Sequence, residues 1–289
     1  MKLQLERFLT RLRAAKNYSP HTLRAYRADL EGFAAQCPGL AAADLDRAHI
    51  RRYLAELQSG TMSRATVLRK ASALRSFAKF LRAEGELKRD PFLGVPLPKR
   101  TRSLPKFLTE AEMSEVLAAP MGAGVASERD AALIELLYSS GLRRTEISTL
   151  NVGDADFLSG TVRVFGKGSK ERIVPVGGQA LERLRSYIRS RGGSGDGDPL
   201  FVNLRGGRLS SDGVMFIVRR WVKRSPLLKN VTPHVFRHSF ATHLLNRGCN
   251  IREVQEMLGH ADLNTTQIYT HISLQKLQEV YKEAHPRGR

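Results

Sequence analysis

The chain has 289 residues, with 47 Lys+Arg against 28 Asp+Glu, so its formal net charge is +19 and its pI about 10.5. Hydrophobic residues at 42% and charged residues at 26% are those of a folded globular protein, which excludes disorder, a collagen-like repeat and a membrane bundle. The positive excess concentrates polyanions, and binding a duplex releases condensed counterions, so double-stranded nucleic acid is the leading partner class, ahead of ribosomal or membrane-surface binding.

Length alone predicts two domains. The start has no apolar signal-peptide core and no stretch approaches the ~18 apolar residues of a membrane span. Cys37 and Cys249 are far apart and outside any C-x-x-C spacing, which points away from a disulfide framework or a thiolate zinc site and toward a reducing, cytoplasmic compartment.

Residues 1–90 read as a helical domain. Ser19-Pro20 is a helix start with proline at the first helical position, followed by Leu23, Tyr26, Leu30 and Phe33 at helical spacing. A second helix opens at Ser63 and places Val67, Leu68, Ala71, Leu74, Ala78 and Leu81 on one stripe. Its other face carries Arg64, Arg69, Lys70, Arg75, Lys79 and Arg82, either a phosphate-tracking surface or a solvated one. Residues 91–106 hold Pro91, Gly94, Pro96, Pro98 and Pro105 with Lys99, Arg100 and Arg102 and no periodicity, the pattern of a linker. Both flanking parts are basic, which suggests a clamp closing on a duplex.

Residues 107–289 form the second predicted domain. A capping box, Thr109-x-x-Glu112, opens a helix that runs to Ser140-Gly141. Strands Thr161–Phe165 and Arg172–Val176 flank Gly166-Lys167-Gly168-Ser169-Lys170-Glu171 as a hairpin, with Pro175 favouring an edge position. Helices are expected over roughly 179–191, 210–224, 233–247, 251–258 and 265–272. The fold class is mainly α with a small β-hairpin sheet in the C-terminal domain.

Proline at a helix start in Thr232-Pro233-His234-Val235-Phe236-Arg237-His238 puts His234 and Arg237 on one face, where they can bind phosphate. A chain this basic with 8 His supplies about one His-x-x-Arg pair by chance, and His21/Arg24 and His49/Arg52 are such pairs without companions. His234/Arg237 differs in its sequel, Leu258-Gly259-His260 and then Tyr269, and in Gly141-Leu142-Arg143 upstream.

These runs, with Gly166 to Arg172 and Thr265-Thr266-Gln267-Ile268-Tyr269-Thr270-His271, resemble the tyrosine recombinase (phage integrase) family. The resemblance spans nearly the whole chain, including Tyr18-Ser19-Pro20-His21-Thr22 and Ala284-His285-Pro286-Arg287, and is closest to the bacterial Xer branch. It implies a two-domain DNA clamp, with a helical SAM-like core-binding domain and a catalytic domain. Carried over by position, it implies Tyr269 as nucleophile, Arg143 and Arg237 on the scissile phosphate, Lys167 protonating the leaving oxygen, and His234 and His260 assisting. The residue types suit that chemistry: a phenol of pKa ≈ 10 needs a base and nearby cations, and two guanidinium forks stabilise a phosphorane without metal or cofactor.

Plainer readings stand beside these. Glu146 suits Arg143 as a salt-bridge partner, Arg144 is a rival for Arg143, Lys170 is a rival for Lys167, and His260 fits a helix C-terminus. His238, His243 and His271 take no role, and the four-residue spacing of His234 and His238 lacks the Glu or Cys companions of a zinc site. Leu274, Leu277, Val280 and Tyr281 form a tail stripe that either packs on its own domain or docks on a neighbour. The implied activity is site-specific recombination, with chromosome dimer resolution from the Xer likeness. The implied partners are a duplex target site, a second XerD-like subunit or further copies of this chain in a four-subunit synapse, and a septal DNA translocase. Alternatives are an integrase or resolvase of a mobile element and a non-enzymatic architectural DNA-binding protein.

Overall fold

In the computed structural model, residues 1–14, 18, 20–98, 107–120, 122–166, 171–227, 229–259 and 274–288 are described. The chain divides into two compact units, residues 1–103 and 104–289.

The first unit holds α1 (Lys2–Ala14), α2 (Pro20–Gln36), α3 (Arg47–Ser59) and α4 (Arg64–Ala83). Local signals set the starts. Proline leads α2, where its missing N–H would have no intrahelical acceptor. The Asp46 carboxylate accepts from the His49 backbone N–H (3.0 Å) ahead of α3, and Ser63 Oγ accepts from the Thr66 N–H (3.2 Å) ahead of α4. The stripe Val67, Ala71, Leu74, Ala78 and Leu81 is buried against Leu5, Phe8, Leu30, Phe33 and Ile50. Much of the basic face of α4 is engaged within the unit. Arg69 and Lys70 (3.4 Å) pair with the buried Asp29, Arg82 with Asp90 (3.8 Å), and Arg75 sits over the Phe92 ring (4.9 Å). Arg64 and Lys79 are exposed.

The second unit holds α5 (Glu110–Leu117), α6 (Val125–Ser140), α7 (Arg144–Thr149), β1 (Ala155–Asp156), β2 (Thr161–Phe165), β3 (Glu171–Pro175), α8 (Gly178–Ser190), α9 (Ser211–Val222), α10 (Pro233–Asn246), α11 (Ile251–Leu258) and α12 (Leu274–Ala284). The predicted single helix from Thr109 to Ser140 is two. Pro120 cannot continue α5, and Gly124 takes φ 92 before α6. The capping box is present: Thr109 Oγ1 accepts from the Glu112 N–H (3.2 Å), and Glu112 Oε2 from the Thr109 N–H (2.9 Å). The sheet is antiparallel in the order β1-β2-β3, with Val162 opposite Val174 and Val164 opposite Arg172. Pro175 thus ends an edge strand, and β3 begins at Glu171, one residue earlier than the sequence predicts.

Helix α6 is the centre of this unit. Every residue from Arg129 to Ser140 is buried, and α8, α9 and α10 pack around it. This stretch is enclosed on all sides, so its charges need partners within the unit: Arg129 Nη2 donates to Asp130 Oδ1 (2.7 Å), Arg129 Nη1 to the Val202 carbonyl (3.0 Å), and Arg220 also reaches Asp130.

Of the two tail placements left open by the sequence, the structure has α12 on its own domain. Leu277, Tyr281 and Ala284 are buried with Phe240, Leu244 and Met257. Tyr281 Oη donates to the Ser139 carbonyl (2.9 Å) and lies 2.7 Å from Ser139 Oγ, which also accepts from the Gly177 N–H (2.7 Å). His285 stacks on Tyr281, and Arg287 reaches Glu135 (3.3 Å). Among the described residues no helix is long and apolar enough to cross a membrane. The helix expected over 265–272 lies outside the described residues.

Candidate active site

Arg143 is the N-cap of α7 and follows the left-handed turn at Gly141 (φ 59). That turn needs glycine twice over. Its φ disfavours a side chain, and a Cβ there would meet Phe240 Cδ1 at 2.6 Å and Leu258 Cδ2 at 3.0 Å. Glu146, three residues on and 4% exposed, accepts the Arg143 backbone N–H on Oε2 (2.7 Å) and the Arg143 guanidinium on Oε1 (2.9 Å). The other two donors to Glu146 come from Arg172 on β3, whose Nη1 and Nη2 bind Oε1 (3.0 Å) and Oε2 (2.9 Å) as a fork. Burial pushes the Glu146 pKa up, but the bonds from Arg172 and Arg143 outweigh it, and the carboxyl is held below its ordinary value.

Arg237 arrives from near the start of α10 with its side chain directed inward, 8% exposed. Its Nη1 donates to the Gly141 carbonyl (2.8 Å) at the end of α6, and its Nη2 to the Leu258 carbonyl (2.7 Å) at the end of α11. Both acceptors are helix C-termini, where carbonyls lack intrahelical donors and the dipole favours a cation. Burial lowers the Arg237 pKa to about 10, with Arg143 adding to the effect, so the guanidinium stays charged at neutral pH. His234 is exposed on the same turn and lines an open groove with Arg237, His238, Ala241, Val254 and Leu258.

The structure therefore brings Arg143, Arg237 and His234 to one region. Lys167, His260 and Tyr269 lie outside the described residues, as do the rival Lys170 and the unassigned His271. Arg144 turns instead to Asp212 (3.1 Å). His243 is a core histidine, with its ring nitrogens engaged by Tyr138 Oη (2.9 Å) and the Leu108 carbonyl (2.8 Å). The pair His49/Arg52 belongs to the other unit, with His49 Nδ1 held by Asp46 (2.7 Å).

Sequence reasoning gave Arg172 no role, although a signal was present. On β3, Val174 faces the core, and Arg172 shares its phase. A cation at an inward position of a strand requires a buried partner, and Glu146 is that partner.

The phage integrase family pattern matches residues 106–276, and the pattern of the phage integrase N-terminal SAM-like domain matches residues 5–85. The chain belongs to the phage integrase family, the tyrosine recombinases, and is an enzyme of DNA breakage and rejoining. Tyrosine recombinase XerC of Pelobacter propionicus is 42% identical over 292 residues, covering 99% of this chain and 96% of that protein. Tyrosine recombinase XerD of Oceanobacillus iheyensis is 40% identical over 297 residues, covering 100% of both. The crystal structure of XerH site-specific recombinase bound to its difH substrate, a pre-cleavage complex, is similar with a TM-score of 0.67 at 27% identity, covering 89% of this chain and 77% of that one.

Proposed function

We propose that this chain cuts and rejoins DNA strands at a specific site through Tyr269, and that it resolves chromosome dimers at a terminus site before cell division. The observation that carries the reading is the convergence of Arg143 and Arg237. Arg237 is tied to the Gly141 carbonyl, two residues before Arg143, and to the Leu258 carbonyl, two residues before His260.

Two guanidiniums beside each other repel until an anion lies between them, so the pair is suited to the non-bridging oxygens of a phosphodiester. The Tyr269 phenol passes its proton to His234 and its oxygen bonds to phosphorus. As the phosphorane forms, Arg143 and Arg237 hold its developing charge. The bond from phosphorus to the 5′ oxygen breaks, Lys167 protonates that oxygen, and His260 assists at the phosphate. The products are a 3′-phosphotyrosyl bond and a free 5′-hydroxyl. A 5′-hydroxyl from the second duplex then attacks the phosphotyrosyl bond, and Tyr269 regains its proton. Because the ester energy is kept in the covalent bond, the exchange needs no nucleotide cofactor.

The relatives named XerC and XerD, and the Xer structure solved on its DNA, support a duplex target, a second recombinase subunit and a multi-subunit synapse for this chain. A septal DNA translocase as activator and a cytoplasmic location complete the reading. The purified protein should be incubated with nicked duplexes from the host's replication-terminus region and run on a denaturing gel with Tyr269→Phe alongside. A covalent adduct that vanishes in Tyr269→Phe is the expected result. An adduct that survives the substitution refutes the nucleophile. Adducts formed only on mobile-element ends refute the chromosomal role.

A further inference from the structure

Arg172 has no part in the steps above, yet its contacts join the supports of both phosphate-binding arginines. Its side chain is only 12% exposed. Its guanidinium fork occupies both oxygens of Glu146, the carboxylate that also holds Arg143 by backbone and side chain. Its Nε donates to the Met257 carbonyl (3.0 Å), adjacent along the chain to the Leu258 carbonyl that anchors Arg237. Its stem passes over the helix end itself. A Cβ at Gly259, where φ is 62, would lie 3.0 Å from Arg172 Cδ, so the glycine after Leu258 makes room for this arginine.

We propose, resting on the reading above, that Arg172 is a positioning residue for strand cleavage: it fixes Arg143 through Glu146, and Arg237 through the end of α11, as one preformed phosphate clamp. A lysine at this position does not suffice. The arrangement uses three N–H groups in a rigid plane, two on Glu146 and one on a carbonyl of another element, whereas an ammonium is a point charge on a flexible stem. Without Arg172, Glu146 loses half its donors and the α11 end loses its tie to β3. The two clamp arginines then keep their charge but lose their relative geometry.

The test separates misplaced charge from loss of folded protein. A duplex is selected from a randomised pool by binding to the wild-type chain, nicked to trap cleavage, and made with either a phosphate or a neutral methylphosphonate at the bond the wild type cuts. Release of the 5′-hydroxyl fragment is followed under single-turnover conditions for wild type, Arg172→Ala, Arg172→Lys and Arg143→Ala. On phosphate, Arg172→Ala should cleave ~100-fold more slowly, as for displacement of a catalytic group by about 1 Å, with the half-saturating DNA concentration within about twofold of wild type. On methylphosphonate, where the charge to be held is gone, its deficit relative to wild type should shrink by roughly tenfold, in parallel with Arg143→Ala. Arg172→Lys should remain close to Arg172→Ala.

A merely structural role lowers the active fraction and scales both substrates equally. Equal deficits on the two substrates, wild-type rates in Arg172→Ala, or full recovery in Arg172→Lys would each overturn the proposal. If Tyr269→Phe cuts as well as wild type, the assigned chemistry itself is wrong and the proposal falls with it.

Discussion

Replacing Gly141 by alanine tests the close approach that aligns α6 with α10. Three contributions set the magnitude. Placing a non-glycine residue at φ 59 costs about 1–2 kcal/mol. The new methyl group would lie 2.6 Å from Phe240 Cδ1, on a ring that is 0% exposed, and overpacking of that kind costs about 1–3 kcal/mol. Against these, alanine restricts the unfolded chain and returns about 0.4–1 kcal/mol. The net expectation is a loss of about 1–5 kcal/mol. Gly248→Ala isolates the contact, since Gly248 also has positive φ (88) but nothing within 4 Å of its Cβ direction.

Trp221 is the chain's one tryptophan, lies in the second unit and is 3% exposed, so its fluorescence during urea unfolding reports that unit in the full-length protein. Gly141→Ala should unfold at clearly lower urea than Gly248→Ala, with an unchanged slope. It should also slow adduct formation, because the Gly141 carbonyl holds Arg237 at 2.8 Å. Equal stabilities for the two variants would refute the claim that the Phe240 contact makes glycine necessary.

Two further substitutions probe the tail. Ser139→Ala removes the hydroxyl that serves both Tyr281 Oη and the Gly177 N–H. Tyr281 Oη keeps its bond to the Ser139 carbonyl, but the Gly177 N–H at the N-cap of α8 loses its acceptor. Leaving a buried group unpaired costs about 1–3 kcal/mol, so amides at the start of α8 should exchange hydrogen faster, with a smaller change in α12, and unaltered protection at the start of α8 would contradict the assignment. Burial lowers the His285 pKa to about 3, and stacking on Tyr281 at 4.8 Å keeps the ring enclosed and neutral. Its unfolded value is near 6.5, so the unfolded chain binds the extra proton: this stability is complete above pH ~6.5 and falls as the pH drops toward 3. Between pH 7 and 5 the wild type should lose ~2 kcal/mol more than His285→Phe, as read by urea midpoints. Identical pH slopes would show that His285 titrates normally in the folded state.

Part of the candidate site was legible because rare runs mark it. Ser140-Gly141-Leu142-Arg143 and Leu258-Gly259 each end a helix on a glycine, and the structure gives the reason for each: Phe240 crowds Gly141, and the Arg172 stem crowds Gly259. Lys167, His260 and Tyr269 lie outside the described residues. Caps at Ser63 and Thr109 were legible for a local reason, since each side chain bonds a backbone N–H three residues away. The break between α5 and α6 is also local, but the apolar periodicity on both sides obscured it. Whether the basic face of α4 is free depended on Asp29, forty positions from Arg69.

The sequence by itself determined the basic charge and most of the helical and strand segments, because these follow from composition and from contacts within one turn. Tertiary structure alone decided which cations converge. Glu146 and Arg172 are 26 positions apart, Arg237 and Gly141 are 96 apart, and Tyr281 meets Ser139 across 142. Pairings at that separation have no periodic signature. They are selected only when a buried charge or hydroxyl must find a partner inside the folded chain, where an unpaired group costs more than the bond it replaces.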